Sequence, residues 1–315
     1  MRPWHLIVLL VLNAAWSATL VINKALGLDN DHGPQLDPGA IVTLRFALAA
    51  LSLVVVWPWL PGRAPRGRNL ALTVLIGLLV FVLGQRLQVL GVKLGTAGNS
   101  AVLMGLEPLL TTVAAAIFLR EHLGPRRLLG SAISLAGLAV LNEVWRPEFQ
   151  WTGLVPSLIF VSSFLCETAF SILGKPILER ASPTKVVTVA LLAGTLVNFL
   201  LDGSQTLRVA RTLEPEQWVM LSYMAIVCTS VGYAMWFVVI REAPVSVVAL
   251  TIFVQPVAGV GLAAWYLREP LHWGQLWGSL AIIAGVAVGL SHQILARARN
   301  KAPAAAAPGT DAPGT

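Results

Sequence analysis

One segment of this chain occurs twice, and the spacing of the two copies constrains the fold more than any single motif. An apolar run around Glu107-Pro108 ends in Leu119-Arg120-Glu121, and a second run around Gln255-Pro256 ends in Leu267-Arg268-Glu269. Equivalent residues are 148 positions apart, without a gap, from residue 84 through residue 137 of the first copy. Chance does not maintain one register over that length. The chain therefore contains a duplicated unit, and each copy carries a proline in the middle of an apolar helix.

The long apolar runs between charged residues indicate the environment of the chain. Of the 315 residues, 56% are hydrophobic and only 12% are charged, whereas a soluble domain usually has about a quarter charged residues. Many runs reach the roughly 20 apolar residues that the hydrocarbon core of a bilayer requires. The sequence predicts an all-α polytopic membrane protein with ten transmembrane helices, at residues 5–23, 39–57, 70–92, 96–119, 128–145, 152–174, 184–201, 218–240, 244–267 and 273–294.

The distribution of lysine and arginine predicts how these helices are oriented. With the N-terminus inside, fourteen of the 22 basic residues lie in inner segments, six lie in outer segments, and Arg45 and Arg86 lie within spans. Cytoplasmic segments of membrane proteins carry such an excess of basic residues. We therefore expect a multi-pass protein of the cytoplasmic membrane with both termini in the cytoplasm. This asymmetry also explains the net charge of +7, and no nucleic-acid partner is expected.

An odd number of spans in each copy determines the relation between the copies. Residues 1–146 and 147–295 each hold five predicted helices, so the second copy enters the membrane from the opposite side. Two inverted five-helix repeats, related by a pseudo-two-fold axis in the membrane plane, are typical of secondary transporters that open alternately to each face. Residues 296–315 are rich in alanine, proline and glycine, and we expect a disordered cytoplasmic tail there.

Small residues at equivalent positions predict one contact between helices. The fifth and tenth spans carry Gly130, Gly137, Gly278, Gly285 and Gly289. Glycine allows two helix backbones in a membrane to approach closely. The fifth and tenth helices are therefore expected to pack against each other.

The sequence contains no pattern typical of an enzyme, a metal site or a cofactor site. The segment Gly259-Val260-Gly261 lacks the third glycine of a nucleotide-binding loop and lies within an apolar span. The five histidines lie in loops or at span ends, without partners at metal-ligand spacing. We therefore expect neither catalysis nor a bound metal or cofactor.

Two carboxylates lie at membrane depth. Glu107 is near the middle of the fourth span, and Glu167 is well inside the sixth. A carboxylate in hydrocarbon is costly, so it usually faces the interior of the bundle or a wet cavity. One hypothesis is that Glu107 or Glu167 couples proton or substrate occupancy to a conformational change. The alternative is that each is a structural lock, protonated or hydrogen-bonded to a neighbouring helix.

Pro108 and Pro256 interrupt the fourth and ninth spans at equivalent positions. A proline inside a helix removes one hydrogen bond and frees a backbone carbonyl group. Interrupted helices at corresponding places in two repeats indicate a binding site at the membrane midplane. A kink that merely improves packing is the alternative.

Aromatic and amide side chains also lie in the middle of the predicted membrane region. They are Trp16 in the first span, Gln85 in the third, and Tyr233 and Trp236 in the eighth. Gln85 and Tyr233 are equivalent in the two copies. Such groups would line a cavity for a small amphipathic solute, although each could instead belong to the core. The predicted substrate cavity comprises Trp16, Arg45, Gln85, Glu107, Glu167, Tyr233, Trp236 and Gln255.

Arg45 and Arg86 lie within the second and third spans, and two roles are open for both. Each could bind a carboxylate group of a substrate. Alternatively, they pair with acidic residues such as Glu143 or extend towards the membrane interface.

The order of these motifs resembles the EamA family of the drug/metabolite transporter superfamily. The resemblance covers nearly the whole chain except the first outer loop and the tail. Its residues are Trp16 to Lys24 in the first span, Leu44-Arg45-Phe46 in the second, Glu107-Pro108-Leu109 and Leu119-Arg120-Glu121 around the fourth, and the equivalent second copy. The chain departs from the family pattern at Ser17, where glycine is common, and at Gln255, which replaces the acid of Glu107.

The resemblance implies ten helices with cytoplasmic termini, a central cavity between the first, third, fourth, sixth, eighth and ninth helices, and transport of small metabolites such as amino acids. We predict a secondary active exporter of amino acids or similar metabolites that works by alternating access. Uptake of a sugar or nucleotide-linked solute is an alternative, but a phosphorylated substrate would need more inward basic residues than Arg45 and Arg86. A lipid flippase is another alternative. The expected partners are the lipid bilayer, a small-molecule substrate and, as a candidate coupling ion, the proton, for a monomer or a homodimer.

Overall fold

The regular elements of the chain are helices. A computed structural model describes residues 2–25, 36–95, 97–151, 153–266, 268 and 271–301, and within these ranges there is no strand. We number the helices α1 Pro3–Ala25, α2 Pro38–Trp59, α3 Arg68–Leu94, α4 Asn99–Phe118, α5 Pro125–Leu141, α6 Leu154–Ile177, α7 Pro183–Thr212, α8 Pro215–Glu242, α9 Val245–Trp265 and α10 Trp273–Lys301.

Eight of the described helices are long and apolar enough to cross a membrane, so the chain is a multi-pass membrane protein. They are α2, α3, α4, α6, α7, α8, α9 and the part of α10 that ends at Ser291. The other two predicted spans also form helices: α1 has 23 residues, of which Pro3–Thr19 form a continuously described apolar stretch, and α5 has 17. The crossing of the membrane by α1 and α5 stays a prediction.

The end of α10 lies further along the chain than predicted. This helix continues to Lys301, whereas the sequence predicts a disordered tail from residue 296. Residues 302–315, which make up most of the predicted tail, lie outside the described residues. Most of the first outer loop, residues 26–35, lies outside them as well.

Helices α5 and α10 pack against each other through glycine, as predicted. A Cβ atom at Gly130 would lie 2.5 Å from the carbonyl oxygen of Gly285, and one at Gly137 would lie 2.9 Å from that of Gly278. Since Gly130 precedes Gly137 while its partner Gly285 follows Gly278, the two helices run antiparallel. No side chain fits between these backbones, which explains why both helices carry glycine along this contact.

Several backbone irregularities recur at the spacing of the sequence repeat. A π-helical turn lies at Leu79–Gly84 in α3, and another lies at Met224–Val231 in α8. Shifting the first turn by 148 residues makes it overlap the second. Arg120 and Arg268, also 148 positions apart, both have a φ angle of +54°, which is uncommon for a residue other than glycine. The two copies therefore share local backbone geometry as well as sequence.

Both α4 and α9 are interrupted just before their prolines. The first part of α4 ends at Leu103, and regular helix resumes at Leu106. In α9, a 3-10 turn at Leu250–Phe253 separates two α-helical parts. Because proline has no N–H group, the carbonyl group four residues earlier loses its usual donor. Both interruptions lie at this distance before the proline.

The largest core joins the two halves of the chain through aromatic rings. The ring of Phe81 in α3 lies 5.0 Å from that of Phe46 and 5.1 Å from that of Tyr233. Phe170 in α6 stacks on Phe237 in α8 with ring centroids 4.0 Å apart. Aromatic contacts of this kind stabilise a core by more than the burial of their apolar area alone. They hold α3, α6 and α8 together around Glu167.

Candidate functional site

Polar side chains from four other helices converge on Glu167. The carboxylate of Glu167 in α6 accepts a hydrogen bond from the hydroxyl group of Tyr233 in α8 at 3.5 Å, and another from Gln85 in α3. Glu107 in α4 and Arg45 in α2 lie close enough to Glu167 to interact with its charge. The structure thus brings together five of the residues predicted to line a substrate cavity.

A pair of hydroxyl groups fixes the two helices that carry the carboxylates. Thr111 lies one turn after Glu107 in α4, and Thr168 directly follows Glu167 in α6. Their hydroxyl oxygens are 2.9 Å apart, and both side chains are buried. This hydrogen bond replaces the water that each hydroxyl group would lose on burial, and it fixes α4 against α6 close to the two carboxylates.

The predicted tryptophans lie beside Tyr233, but they have different surroundings. The ring of Trp16 lies 5.9 Å from Tyr233 and 5.7 Å from Trp236, and its Nε1 donates to the carbonyl oxygen of Cys228 at 2.6 Å. Trp236 is only 5% exposed, and its Nε1 donates to Ser171 at 2.9 Å. Trp16 and Tyr233 are half-buried and form a wall of the site, whereas Trp236 packs mainly within the core behind it.

The two arginines within the membrane region have different partners. Arg45 donates from Nε to the hydroxyl oxygen of Thr229 at 2.9 Å, next to Glu167. Arg86 forms an ion pair with Asp202 in α7. The predicted partner Glu143 instead pairs with Arg146, at 2.7 Å. Only Arg45 therefore belongs to the group around Glu167.

A small recess, partly open to the surroundings, lies between the interruptions of α4 and α9. Its walls come from both copies in matching pairs, since each contributing residue of α9 except one has its equivalent in α4. They are Met104, Gly105 and Pro108 from α4, and Ile252, Phe253, Gln255 and Pro256 from α9. The unmatched residue is Gln255, whose equivalent is Glu107. The two proline interruptions thus meet in space.

Asn13 in α1 is a polar residue of this region that sequence reasoning missed. It is fully buried, donates to Thr251 at 3.1 Å and accepts from Nε2 of Gln255 at 2.9 Å. These bonds attach α1 to the interruption of α9. An amide in the middle of an apolar span is the same signal that singled out Glu107 and Glu167, so it could have been found from the sequence.

The charges of this site are not balanced. Glu107 and Glu167 carry up to two negative charges, and Arg45 supplies one positive charge. Among the described residues, no hydrogen bond to the carboxylate of Glu107 is present, and no group of three or more histidine, cysteine or acidic side chains could hold a metal ion. In a region of low dielectric constant, an unbalanced carboxylate favours a proton or a bound cation.

Comparison with known proteins now identifies the family. Residues 3–143 and residues 155–290 each match the EamA-like transporter family. The chain belongs to this family. Each matched range lies within one of the two halves that the sequence repeat defines, and the resemblance found from individual motifs is confirmed.

Relatives of this EamA protein are named as exporters. It is 27% identical to a probable terminal-alkyne amino-acid exporter of Streptantibioticus cattleyicolor, with 81% of this chain and 84% of the relative covered. It is 26% identical to a probable amino-acid metabolite efflux pump of Salmonella typhimurium, with 88% and 91% covered. The EamA chain described here is therefore a multi-pass membrane transporter.

A solved crystal structure, described only as that of a protein, has the same fold. It superposes on 96% of this EamA chain and on 100% of its own chain, with a TM-score of 0.73 and 17% sequence identity. At this identity, the likeness concerns the fold alone.

Proposed function

We propose that this protein is a secondary active exporter of amino acids or similar small metabolites, working by alternating access across the cytoplasmic membrane. The observation that carries the proposal is the convergence of Arg45, Gln85, Glu107 and Tyr233 on Glu167. These residues come from both halves of the chain. A solute bound among them would contact both halves, so a rocking motion of one half against the other would change its exposure.

The proposed architecture is two inverted repeats of five helices, residues 1–146 and 147–295. Shifting by 148 residues converts the contact of Gly130 with Gly285 into the contact of Gly278 with Gly137, and both contacts are present. A contact that maps onto itself in this way is what a two-fold axis between α5 and α10 would produce. The antiparallel direction of these helices supports an axis that lies in the membrane plane.

A second pair of helix contacts supports the same symmetry. Gly84 in α3 lies against Cys166 in α6, where a Cβ atom would be 3.0 Å from the cysteine Cβ atom. Its equivalent Gly232 in α8 lies against Trp16 in α1, where a Cβ atom would be 2.9 Å from Nε1 of the tryptophan. Since α6 and α1 are equivalent helices in the proposed repeat, the two contacts have the same relation.

We assign the residues of the site to three roles. Glu107 and Glu167 bind a proton or the ammonium group of a substrate, and Arg45 binds a substrate carboxylate or stabilises Glu167. Trp16 and Tyr233 supply apolar surface with a polar end, with Trp236 packed behind them. Gln85 and Gln255 supply amide hydrogen bonds. The interruptions at Pro108 and Pro256 allow α4 and α9 to bend where they meet.

The same geometry favours a zwitterionic solute over a phosphorylated one. A phosphate group is usually bound by several basic side chains, and Arg86 is engaged by Asp202. One guanidinium group and two carboxylates suit a solute with one carboxylate and one ammonium group. The names of the exporter relatives agree with this choice, and the excess of basic residues in the predicted inner segments supports cytoplasmic termini.

Purified protein in proteoliposomes tests this proposal. A panel of labelled amino acids, sugars and inorganic cations would be loaded inside, and efflux would be measured with and without a pH gradient. We expect efflux of one or more amino acids that depends on the gradient and is lost in the double variant Glu107→Gln, Glu167→Gln. Efflux of sugars alone, or amino-acid efflux that the double variant leaves unchanged, would contradict the assignment.

A further inference from the structure

The carboxylate of Glu121, in the loop between α4 and α5, has an unusually complete set of partners. One oxygen accepts from the backbone N–H of Val245 at 2.7 Å and from Nζ of Lys175 at 3.0 Å. The other accepts from the backbone N–H of Ser246 at 2.9 Å and from its hydroxyl group at 2.6 Å. The side chain of Glu121 is only 11% exposed. In the sequence, Glu121 stands out only as the last residue of the repeated Leu-Arg-Glu motif.

Neighbouring side chains extend the contact into a network. Arg127 in α5 donates to the hydroxyl oxygen of Ser246 at 2.8 Å, and Lys175 in α6 also donates to the carbonyl oxygen of Ala243 at 2.9 Å. Glu121 and Arg127 belong to the first half of the chain, whereas Lys175, Ala243 and Ser246 belong to the second. The network therefore joins the two halves through charged hydrogen bonds, which are stronger than neutral ones.

The network around Glu121 lies at the other end of α4 from Glu107. Glu107 lies in the first turn of the regular part of α4, and Glu121 follows the end of this helix at Phe118. At a rise of 1.5 Å per residue, roughly 15 Å of helix separate the two. An opening from the site along α4 towards this end would require α4 and α5 to separate from the start of α9.

We propose that Glu121 is the latch of the inner gate of the transporter. Its hydrogen bonds to Val245, Ser246 and Lys175 hold the cytoplasmic side of the site closed, and they break and re-form in each transport cycle. The latch rests on the proposed function and on the predicted orientation, which places Glu121 on the cytoplasmic side. It predicts that weakening these bonds shifts the protein towards a conformation that is open to the cytoplasm.

Accessibility of a buried reporter tests the latch without any measurement of transport. Ala115 in α4 lies one turn before the end of the helix and is fully buried, so Ala115→Cys is a small change. The two native cysteines, Cys166 and Cys228, are free and buried and would be replaced by alanine. The rate of labelling by a membrane-impermeant maleimide would then be measured from the cytoplasmic side in inside-out vesicles.

Three variants distinguish a latch from a general loosening of the protein. Glu121→Gln keeps the shape of the side chain but removes its charge, and it places an amide NH₂ group against partners that are themselves hydrogen-bond donors. We therefore expect labelling of the reporter cysteine to become about tenfold faster or more. Ser246→Ala should increase the rate in the same direction but less, because it removes only the hydroxyl contacts. The matched control Glu179→Gln changes an exposed acid at the same end of α6 and should leave the rate unchanged.

The outcomes separate failure of the latch from failure of the proposed function. Equal labelling rates in wild type, Glu121→Gln and Ser246→Ala would overturn the latch, even when the wild type transports amino acids. Faster labelling in both variants, with no substrate efflux from wild-type proteoliposomes, would support the latch and overturn the transport proposal. If Glu121→Gln fails to insert in the membrane, Ser246→Ala and Lys175→Met provide the same test.

Discussion

At the scale of single residues, Glu107 and Glu167 have unlike surroundings although they face each other. Glu167 accepts hydrogen bonds from Tyr233 and Gln85 and lies near Arg45. Among the described residues, Glu107 accepts no hydrogen bond in this group and interacts with Glu167 and Tyr233 through its charge. Glu167 is therefore held in place, while Glu107 is free to bind a proton or a cation.

This difference predicts unequal effects of neutral replacement. Glu107→Gln should abolish the dependence of efflux on the pH gradient, because an amide cannot exchange a proton at that position. Glu167→Gln should instead lower the efflux rate at every pH, because its partners hold the carboxylate that attracts the substrate. Efflux from proteoliposomes over a series of external pH values measures both effects. A wild-type pH profile in both variants would eliminate proton coupling through these residues.

The pKa of Glu121 leads to a second prediction at this scale. Burial raises the pKa of its carboxyl group, but hydrogen bonds from Ser246, Val245 and Lys175 outweigh burial and bring the pKa below the ordinary value of 4.5. Because this pKa is lowered, the ionised carboxylate of Glu121 stabilises the latch at pH values above its ordinary pKa. This stabilisation is lost as the pH falls through the lowered pKa. The latch should therefore remain closed at neutral pH and open only in acid.

Distances between two spin labels at the inner end measure this opening. Arg126 and Glu179 are both exposed and belong to different halves of the chain, so cysteines at these positions would carry the labels. We expect one distance between about pH 8 and pH 5, and a longer distance that becomes populated below about pH 4.5. In Glu121→Gln the longer distance should be populated at all pH values. A wild-type distance that changes near pH 7 would show that another group controls the opening.

At the scale of elements, the contact of α5 with α10 allows a direct stability test. A Cβ atom at Gly130 would lie 2.5 Å from the carbonyl oxygen of Gly285 and 2.7 Å from the Cα atom of Gly289, and neither backbone atom can move aside alone. Gly130→Ala should therefore destabilise the protein by about 1–3 kcal/mol, as overpacking typically does. Thermal unfolding of the purified protein in detergent measures the change.

The same chain offers a matched control for that substitution. Gly261 lies in the regular part of α9, and a Cβ atom there would meet nothing within 4 Å. Gly261→Ala should therefore leave the unfolding temperature unchanged or raise it, because alanine favours helix over glycine by about 1 kcal/mol. Equal unfolding temperatures for the two variants would show that α5 and α10 do not pack through these glycines.

Element-level features were predictable to different degrees. The apolar stretches, the packing of α5 with α10 and the interruptions at Pro108 and Pro256 follow from composition and from the repeat, because apolar length, glycine spacing and proline positions can all be read along the spans. The continuation of α10 to Lys301 and the π-helical turns in α3 and α8 were not foreseen. A π turn needs one extra residue within a helix, and hydrophobic periodicity over such a short stretch does not reveal it.

At the scale of the whole molecule, the proposed inverted architecture predicts the location of the chain termini. Five helices in each half amount to an even total, so both termini should lie on the cytoplasmic face. Epitope tags at the N-terminus and the C-terminus, tested for protease access in intact cells and in inside-out vesicles, measure this. Tags accessible on opposite faces would mean an odd number of crossings and would refute the inverted repeat, with α5, which has 17 residues, the first helix to be re-examined.

By itself, the sequence determined that this is a duplicated membrane protein of the EamA family with carboxylates at membrane depth. Lipid requires long apolar helices, and a shared origin preserves register, so both signals are written along the chain. Only the tertiary structure decided which side chains meet: Asp202 rather than Glu143 beside Arg86, Asn13 beside Gln255, and Glu121 on Ser246. These partners are more than 100 residues apart. Their contact depends on how each helix is rotated and shifted against its neighbours, which no local pattern specifies.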